Sequence, residues 1–128
     1  MTLSSLIKER EYVLKRGKIR NVREKLGISR EDASKILRVS TRNIYRWENN
    51  INIRPHFNLI ARISKLKELE KVLLDTFKAE DIDDWLNTSN EALESRTPIQ
   101  EIASAGTAEE GMQSIVDLLI NARYGAFT

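Results

Sequence analysis

The sequence contains no cysteine and a single histidine, His56. Without thiols it can form no disulfide framework, no thiolate metal site and no thiol nucleophile, and this composition suits a reducing cytoplasm. No stretch approaches the roughly 18 consecutive apolar residues of a membrane span, and the first residues lack the basic and apolar regions of a signal peptide. We therefore expect a cytoplasmic protein that does not bind a membrane.

Glycine and proline are also scarce, with five and two copies in 128 residues. With 41% apolar and 31% charged residues, the composition is that of a folded helical protein rather than a disordered tail. No alternation of apolar and polar residues is long enough to predict a strand. We therefore expect an all-α fold, with room for one ordinary domain or two very small ones.

Charge is distributed unevenly along the chain, although the net charge is only +2. Residues 1–65 contain 16 Lys and Arg against 6 Asp and Glu, a net of +10, whereas residues 66–128 contain 5 against 13, a net of −8. A basic half of this size attracts polyanions, most often nucleic acid, although two solvated faces of opposite sign would give the same counts. We expect a DNA-binding domain over 1–65 and a second domain over 66–128.

Apolar residues at helical spacing predict a series of short helices in the basic half. The first covers residues 3–14 and the second residues 19–26, and a glycine follows each of them closely. Ser29, with a carboxylate three positions later, predicts a capped third helix. Ser40 opens a fourth helix, which ends before Pro55 because proline cannot continue it.

The acidic half begins with the longest predicted helix, an amphipathic stretch over residues 56–77 that joins the two halves. Carboxylates over residues 80–84 predict a short helix, since they favour the positive end of a helix dipole. Residues 87–96 are polar and turn-like, and Thr97–Gln100 and Thr107–Glu110 predict two further capped helices. The last helix ends at Gly125 and carries one apolar face, formed by Met112, Ile115, Val116, Leu119, Ile120 and Ala122.

Residues 28–48 carry the most specific pattern of the chain. Two predicted helices are joined there by a three-residue turn, which is the arrangement of a helix-turn-helix. Small Ala33 allows the helices to approach closely, Val39 fills the turn, and Ile44 and Trp47 pack the second helix onto the first. The sequence therefore predicts a helix-turn-helix at the N-terminal end of the chain.

The outer face of the second helix carries side chains suited to reading DNA. Arg42 and Arg46 can each bind guanine through two hydrogen bonds, and Asn43 can bind adenine in the same way. Thr41 can reach a phosphate or a thymine methyl group. For Tyr45 we favour packing over stacking against a backbone sugar. A merely solvated helix face is the alternative, against which the preceding helix, the turn and the surrounding positive charge all argue.

Residues 19–55 contain Ala33, Val39-Ser40, Ile44 and Arg46-Trp47-Glu48 in an order that resembles the Xre (lambda-repressor-like) helix-turn-helix family. The sequence departs from the family at Arg30, where glutamine is frequent, and at Arg38, where the turn usually has glycine. The resemblance implies that Arg30 lies near a phosphate, and we expect Lys35 to hold another. It also implies that Arg38 adopts a left-handed turn at some conformational cost.

The second half contains Trp85-Leu86, Asn90 to Leu93, Thr97-Pro98-Ile99 and Tyr124-Gly125 in order. In this respect it is similar to the toxin-binding domain of Xre/MbcA/ParS-type antitoxins. It departs from that family at Ser89, where proline is usual, at Glu94-Ser95, where two glycines are usual, and at Asn121, where a basic residue is common. Each segment alone is also a general helix start or end, so the resemblance rests on their shared order and spacing.

Nothing in the sequence predicts catalysis. His56 follows Pro55 at a helix start, and its neighbours include no cysteine, no glycine-rich phosphate loop and no nucleophile elbow. The pairs Asp83-Asp84 and Glu109-Glu110 are adjacent in helices, so their side chains point in different directions. We expect a protein that is not an enzyme and binds no cofactor and no metal.

The two resemblances together imply an antitoxin of a type II toxin–antitoxin system. In that family the basic half binds operator DNA and represses the operon, and the other half neutralises a toxin, typically a RES-domain protein that acts on NAD. One helix-turn-helix covers few base pairs, so we expect a homodimer on an inverted repeat. The alternative is a free-standing repressor whose second half serves for dimerisation or ligand sensing. A nucleoid or scaffold protein is a third possibility, against which the Arg and Asn face argues.

The C-terminal residues are the predicted toxin contacts. Tyr124 and Phe127 lie on either side of the helix-ending Gly125, with little chain left to cover them. Exposed aromatic residues suit an interface. By resemblance to the family, we expect Arg123, Tyr124 and Phe127 to lie at the entrance of the toxin's active site and to exclude substrate. The alternative is that both aromatic rings fold back onto the domain's own core.

Overall fold

The computed structural model describes residues 19–49 and 57–124, and every regular element within these ranges except one isolated bridge is helical. The bridge joins Asn90 and Arg96. The predicted all-α fold is confirmed, whereas the helix predicted over residues 3–14 and the residue Phe127 lie outside the described residues. The elements are α1 (residues 19–26), α2 (Arg30–Leu37), α3 (Thr41–Asn49), α4 (Phe57–Thr76), α5 (Ala79–Leu86), a 3₁₀ turn (Glu91–Leu93), α6 (Pro98–Ser104) and α7 (Ala108–Tyr124).

Hydroxyl side chains begin three of these helices as the sequence predicts. Ser29 Oγ accepts a hydrogen bond from the backbone N–H of Asp32 at 3.1 Å, and Thr107 Oγ1 accepts one from Glu110 at 3.1 Å. Thr97 and Gln100 form a complete capping box ahead of Pro98. Each cap satisfies an amide that has no partner within the helix, which contributes about 1 kcal/mol.

The two longest helices, α4 and α7, form the centre of the molecule. They run parallel, because Arg62 lies 3.5 Å from Glu109 near their first turns and Arg123 donates to Thr76 near their ends. Apolar residues three and four positions apart line the contact, and each buried aliphatic side chain contributes about 1.5–3 kcal/mol. The buried residues are Leu59, Ile63, Leu66, Leu69 and Leu73 from α4 and Met112, Ile115, Val116 and Leu119 from α7.

The basic and acidic halves share this core rather than forming separate bodies. Helix α2 packs against α6 and α7 as well as against α3 and α4, and one cluster of buried side chains extends from Ile19 to Leu119. Directly after α4, Phe77 packs against Trp85 of α5, with ring centroids 5.0 Å apart. Among residues 19–49 and 57–124, no helix is long and apolar enough to cross a membrane.

Candidate functional site

Helices α2 and α3 form the predicted helix-turn-helix. Ala33, Ile44 and Trp47 are buried between them, and Val39 is partly buried in the turn. Ser40 Oγ accepts a hydrogen bond from the backbone N–H of Asn43 at 3.1 Å, so a hydroxyl also caps the second helix. The structural roles assigned to Ala33, Val39, Ile44 and Trp47 from the sequence are confirmed.

The opposite face of α3 is open to solvent. Thr41, Arg42 and Arg46 are exposed and Asn43 is half-buried. Tyr45 is 55% exposed, so the packing role favoured from the sequence is wrong. The position follows Ile44 by about 100° around the helix, which carries the ring out of the core.

A cluster of three charged side chains lies at the last turn of α3. The Glu48 side chain is fully buried, and its carboxylate accepts two hydrogen bonds from Arg23 and one from Arg30, all at 3.0 Å. Burial alone would raise the pKa of the Glu48 carboxyl, but the hydrogen bonds and charges of the two arginines outweigh it and hold that pKa below its ordinary value. The carboxylate therefore remains ionised and holds both guanidinium groups in place.

Arg30 connects this cluster to the exposed face of α3. Its guanidinium carbon lies 5.1 Å from the centroid of the Tyr45 ring, in a cation–π arrangement, while Nε donates to Glu48. Arg30 therefore links the buried carboxylate to an exposed aromatic ring on α3. Sequence reasoning found Arg30 but missed Glu48, which was used only to recognise the family.

An open cleft of about 550 Å³ lies between the start of α2 and the face of α3. Two features suit it to an anion: the free amides at a helix N-terminus and several arginines. It brings together the predicted residues Arg30, Thr41 and Arg42. Its lining consists of Arg23, Ser29, Arg30, Glu31, Thr41, Arg42 and Tyr45.

Lys35 lies apart from this cleft. It is exposed in the last turn of α2, whereas Arg30 begins the same helix. The two predicted phosphate contacts therefore stand at opposite ends of α2.

The turn between α2 and α3 confirms the left-handed conformation that was expected at Arg38. Arg38 has φ 56° and ψ 47°, and its backbone N–H closes the end of α2 onto Ser34. Its side chain extends to α6 and donates to backbone carbonyls at the end of that helix. The sequence gives no indication of this contact, because the two partners are more than 60 residues apart.

The last turn of α7 brings one predicted toxin contact, Arg123, to the surface. Arg123 is exposed in the last turn and donates to Thr76 Oγ1 on α4. The backbone of Tyr124 ends the helix. Leu74 and Ile120 add exposed apolar surface near this end, at 37% and 39% exposure. Ile120 and Ala122 were both expected on the apolar face of α7, and both are exposed.

Comparisons with known proteins divide the chain into two parts. Residues 19–73 match the helix-turn-helix family model, and residues 73–125 match the model of the antitoxin Xre/MbcA/ParS C-terminal toxin-binding domain. The two matches meet within α4. Comparison with curated proteins gives no match.

A solved structure has the same fold. The chain is similar to one chain of the crystal structure of the M. tuberculosis MbcT-MbcA toxin-antitoxin complex, with a TM-score of 0.67 and 20% sequence identity. The similarity covers 88% of this chain and 96% of that chain. It therefore extends over both the helix-turn-helix and the helices that follow.

The fold and the two family matches define a helical regulatory protein in which a helix-turn-helix precedes a toxin-binding domain. Both the order of the domains and the fold agree with the resemblance drawn from the sequence. The two matched domains, which together span residues 19–125, are those of an Xre/MbcA/ParS-type antitoxin.

Proposed function

We propose that this antitoxin represses its own operon with one half and neutralises a toxin with the other. The observation that carries the proposal is that a toxin-binding domain directly follows a helix-turn-helix whose outer face is open. The boundary between DNA binding and toxin binding lies within α4, with residues 1–65 serving the first task and 66–128 the second. The protein acts by binding, without catalysis, a cofactor or a metal, in the cytoplasm where its operator lies.

On the DNA, α3 enters the major groove. Arg42, Asn43 and Arg46 contact base edges there, and Thr41 contacts a phosphate or a thymine methyl group. Arg30, which lines the cleft and is held through its Nε by Glu48, contacts a backbone phosphate there. Lys35 holds a second phosphate from the other end of α2.

The active species on DNA is a homodimer. A single helix-turn-helix reads only a few base pairs, and two copies related by a two-fold axis reach successive major grooves about 34 Å apart. The operator is therefore an inverted repeat with half-sites one helical turn apart. Footprinting of the promoter region upstream of this gene would reveal that spacing.

The partner of the second half is a RES-domain toxin that acts on NAD, as the resemblance to the family implies. Arg123, Tyr124 and Phe127 contact the entrance of the toxin's active site. Neutralisation then results from steric exclusion of the substrate. The toxin alone should consume NAD, and added antitoxin should stop this consumption. A toxin that does not consume NAD would contradict the assignment of the partner.

Two altered chains separate the two activities. The double variant Arg42→Ala/Arg46→Ala changes only exposed side chains, so it should lose operator binding and still co-purify with the toxin. A chain lacking residues 121–128 should keep operator binding and lose the toxin. Loss of both activities in either chain, with an unchanged circular dichroism spectrum, would contradict this division of labour.

A further inference from the structure

Arg38 occupies the residue position that sets the direction of α3. It closes α2 in the left-handed conformation, and only Val39 and Ser40 separate it from the first residue of α3. For a residue with a Cβ this conformation is strained, and such strain persists only where surrounding contacts hold the residue in place. The contacts of the Arg38 side chain therefore bear directly on the geometry of the helix-turn-helix.

Those contacts all lie at the carboxyl end of α6. Nη2 donates to Ile102 O at 3.0 Å, to Ala103 O at 3.3 Å and to Ala105 O, and Nη1 donates to Gly106 O at 3.3 Å. The last carbonyls of a helix have no partner within it and carry partial negative charge. Because α6 has no basic residue in its own last turn, Arg38 supplies the cation from the other half of the chain.

The end of α6 is in turn fixed to α7. Gly111 lies so close to α6 that a Cβ there would stand 2.6 Å from Ile102 O and 2.7 Å from Ile102 Cα. Helix α7 also carries the predicted toxin contact Arg123 at its far end. A continuous set of contacts therefore runs from the toxin-binding helix through Ile102 and Arg38 to the turn before α3.

A second arginine fixes the same turn from the centre of the molecule. Arg62 on α4 donates to Leu37 O, the last residue of α2, at 2.9 Å, and lies 3.5 Å from Glu109 on α7. The turn is thus held by side chains and carbonyls from α4, α6 and α7. These contacts add to local ones, in which Ser34 Oγ donates to Val39 O and the backbone N–H of Val39 donates to Ser34 O.

We propose that Arg38 is a positioning residue that fixes the recognition helix α3 on the toxin-binding half, so that toxin occupancy changes operator affinity through this contact. This inference rests on the proposed function for its DNA and toxin readouts. A ligand bound at α7 that shifts α6 alters the acceptors of Arg38 and with them the turn. By linkage, the factor by which toxin changes operator affinity equals the factor by which operator changes toxin affinity.

The decisive variant is Arg38→Gly, because glycine adopts the left-handed turn without strain while the side chain that reaches α6 is removed. If Arg38 acted only within its turn, this change would leave α3 where it is. Glu94→Gly is the matched control, since Glu94 also has φ 56° but its side chain is exposed. Arg38→Lys keeps the charge but not the fork of donors, so it should restore the wild-type behaviour only in part.

The position of α3 can be measured without DNA or toxin. The chain contains no cysteine, so the exposed residues Asn49 on α3 and Asp117 on α7 can be replaced by cysteine and spin-labelled as a pair. We expect one narrow distance distribution in the otherwise unaltered chain and in Glu94→Gly, and a broadened or shifted one in Arg38→Gly. An unchanged distribution in Arg38→Gly would overturn the positioning role.

The coupling is measured by titrating operator into the chain with and without saturating toxin. We expect a coupling factor of about 5-fold or more in the wild type and in Glu94→Gly, and a factor near 1 in Arg38→Gly. An equal coupling factor in Arg38→Gly and in the wild type would overturn the inference. If the glycine variant does not fold, an equal coupling factor in Arg38→Lys and in the wild type would overturn it instead. Failure of the wild type to bind operator would instead contradict the proposed function, and the spin-label distances would still test the position of α3.

Discussion

The carboxylates of Asp32 and Asp83, which come from the two halves of the chain, share the side-chain amide of Asn87. Asn87 Nδ2 donates to Asp32 Oδ2 and to Asp83 Oδ1, each at 3.1 Å. Burial, and then the nearby charges of Asp32 and Asp84, raise the pKa of Asp83 above its ordinary value. Two like charges therefore meet where the first turn of α2 approaches the end of α5.

This pair predicts a stabilising substitution. Because the folded-state pKa of Asp83 is raised, its contribution to stability is fully present below the unfolded-state pKa and is lost as the pH rises through the folded-state value. Asp83→Asn should therefore raise the melting temperature at pH 7, and the gain should shrink as the pH falls toward 3. Asp84→Asn, which removes the smaller of the two neighbouring charges from an exposed position, should give a smaller gain. An equal gain from both substitutions would mean that net charge alone, and not the pair, is responsible.

Glu48 predicts the opposite pH dependence. Its folded-state pKa is lowered, so its contribution is present above the unfolded-state pKa and is lost as the pH falls through the lower folded-state value. Glu48→Gln should cost about 2–4 kcal/mol at pH 7, because it leaves two guanidinium groups without their buried partner. Denaturant unfolding measures this, with Glu24→Gln as the exposed ion-pair control, for which we expect little change. A loss of stability for Glu48→Gln that is equally large at pH 3 and pH 7 would argue against the ionised carboxylate.

The close approach of α6 and α7 predicts a position that accepts only glycine. Gly111→Ala should destabilise the protein by about 1–3 kcal/mol, since its Cβ would meet the backbone of Ile102. Gly106→Ala is the matched control, because its Cβ would meet only the flexible end of Glu110. Urea unfolding of the two variants compares them directly. Equal stabilities would show that α6 can move away from α7 at no cost.

The DNA-reading face predicts two kinds of loss. Arg46→Ala should cost about 1–3 kcal/mol on the operator and relax its sequence preference, because a base contact is removed. Lys35→Ala should weaken operator and random DNA alike and reduce the salt slope by about 1, because a phosphate contact is removed. Binding titrations over a range of salt concentrations separate the two. Equal losses on operator and random DNA for Arg46→Ala would rule out base reading.

Arg30→Ala combines a phosphate contact with a structural one. It should weaken binding to all DNA sequences and flatten the salt slope, as expected for a phosphate contact. It should also lower stability, because Arg30 is one of the two partners of Glu48. Denaturant unfolding and DNA titration of the same variant measure the two effects, and an unchanged stability would show that Arg23 alone satisfies Glu48.

Helix boundaries were largely predictable from the sequence, because their signals are local. Ser29, Thr97 and Thr107 each cap a helix through an amide only three residues away, so a short window of sequence contains both partners. The core positions of the helix-turn-helix follow from the same short-range periodicity. Tyr45 and Ile120 were misassigned because each directly follows a buried residue, at the edge of the apolar face.

The contacts that organise the site were not predictable, since they join distant parts of the chain. Glu48 meets Arg23 across 25 residues, and Arg38 meets Ile102 across 64. Which charge pairs with which depends on how the helices pack, and no local pattern contains that information. The cation at position 38 is an unusual residue for its turn, and its partner becomes visible only in the folded chain.

The most direct measurement of the central claim is growth of a host in which the toxin encoded beside this gene is induced. Three forms of the chain are co-expressed with it at matched levels: the intact chain, the Arg42→Ala/Arg46→Ala variant and the chain lacking residues 121–128. We expect growth with the first two and arrest with the third, because neutralisation depends on the end of α7 and not on DNA binding. Arrest in the presence of the intact chain, or equal rescue by the truncated one, would contradict the account.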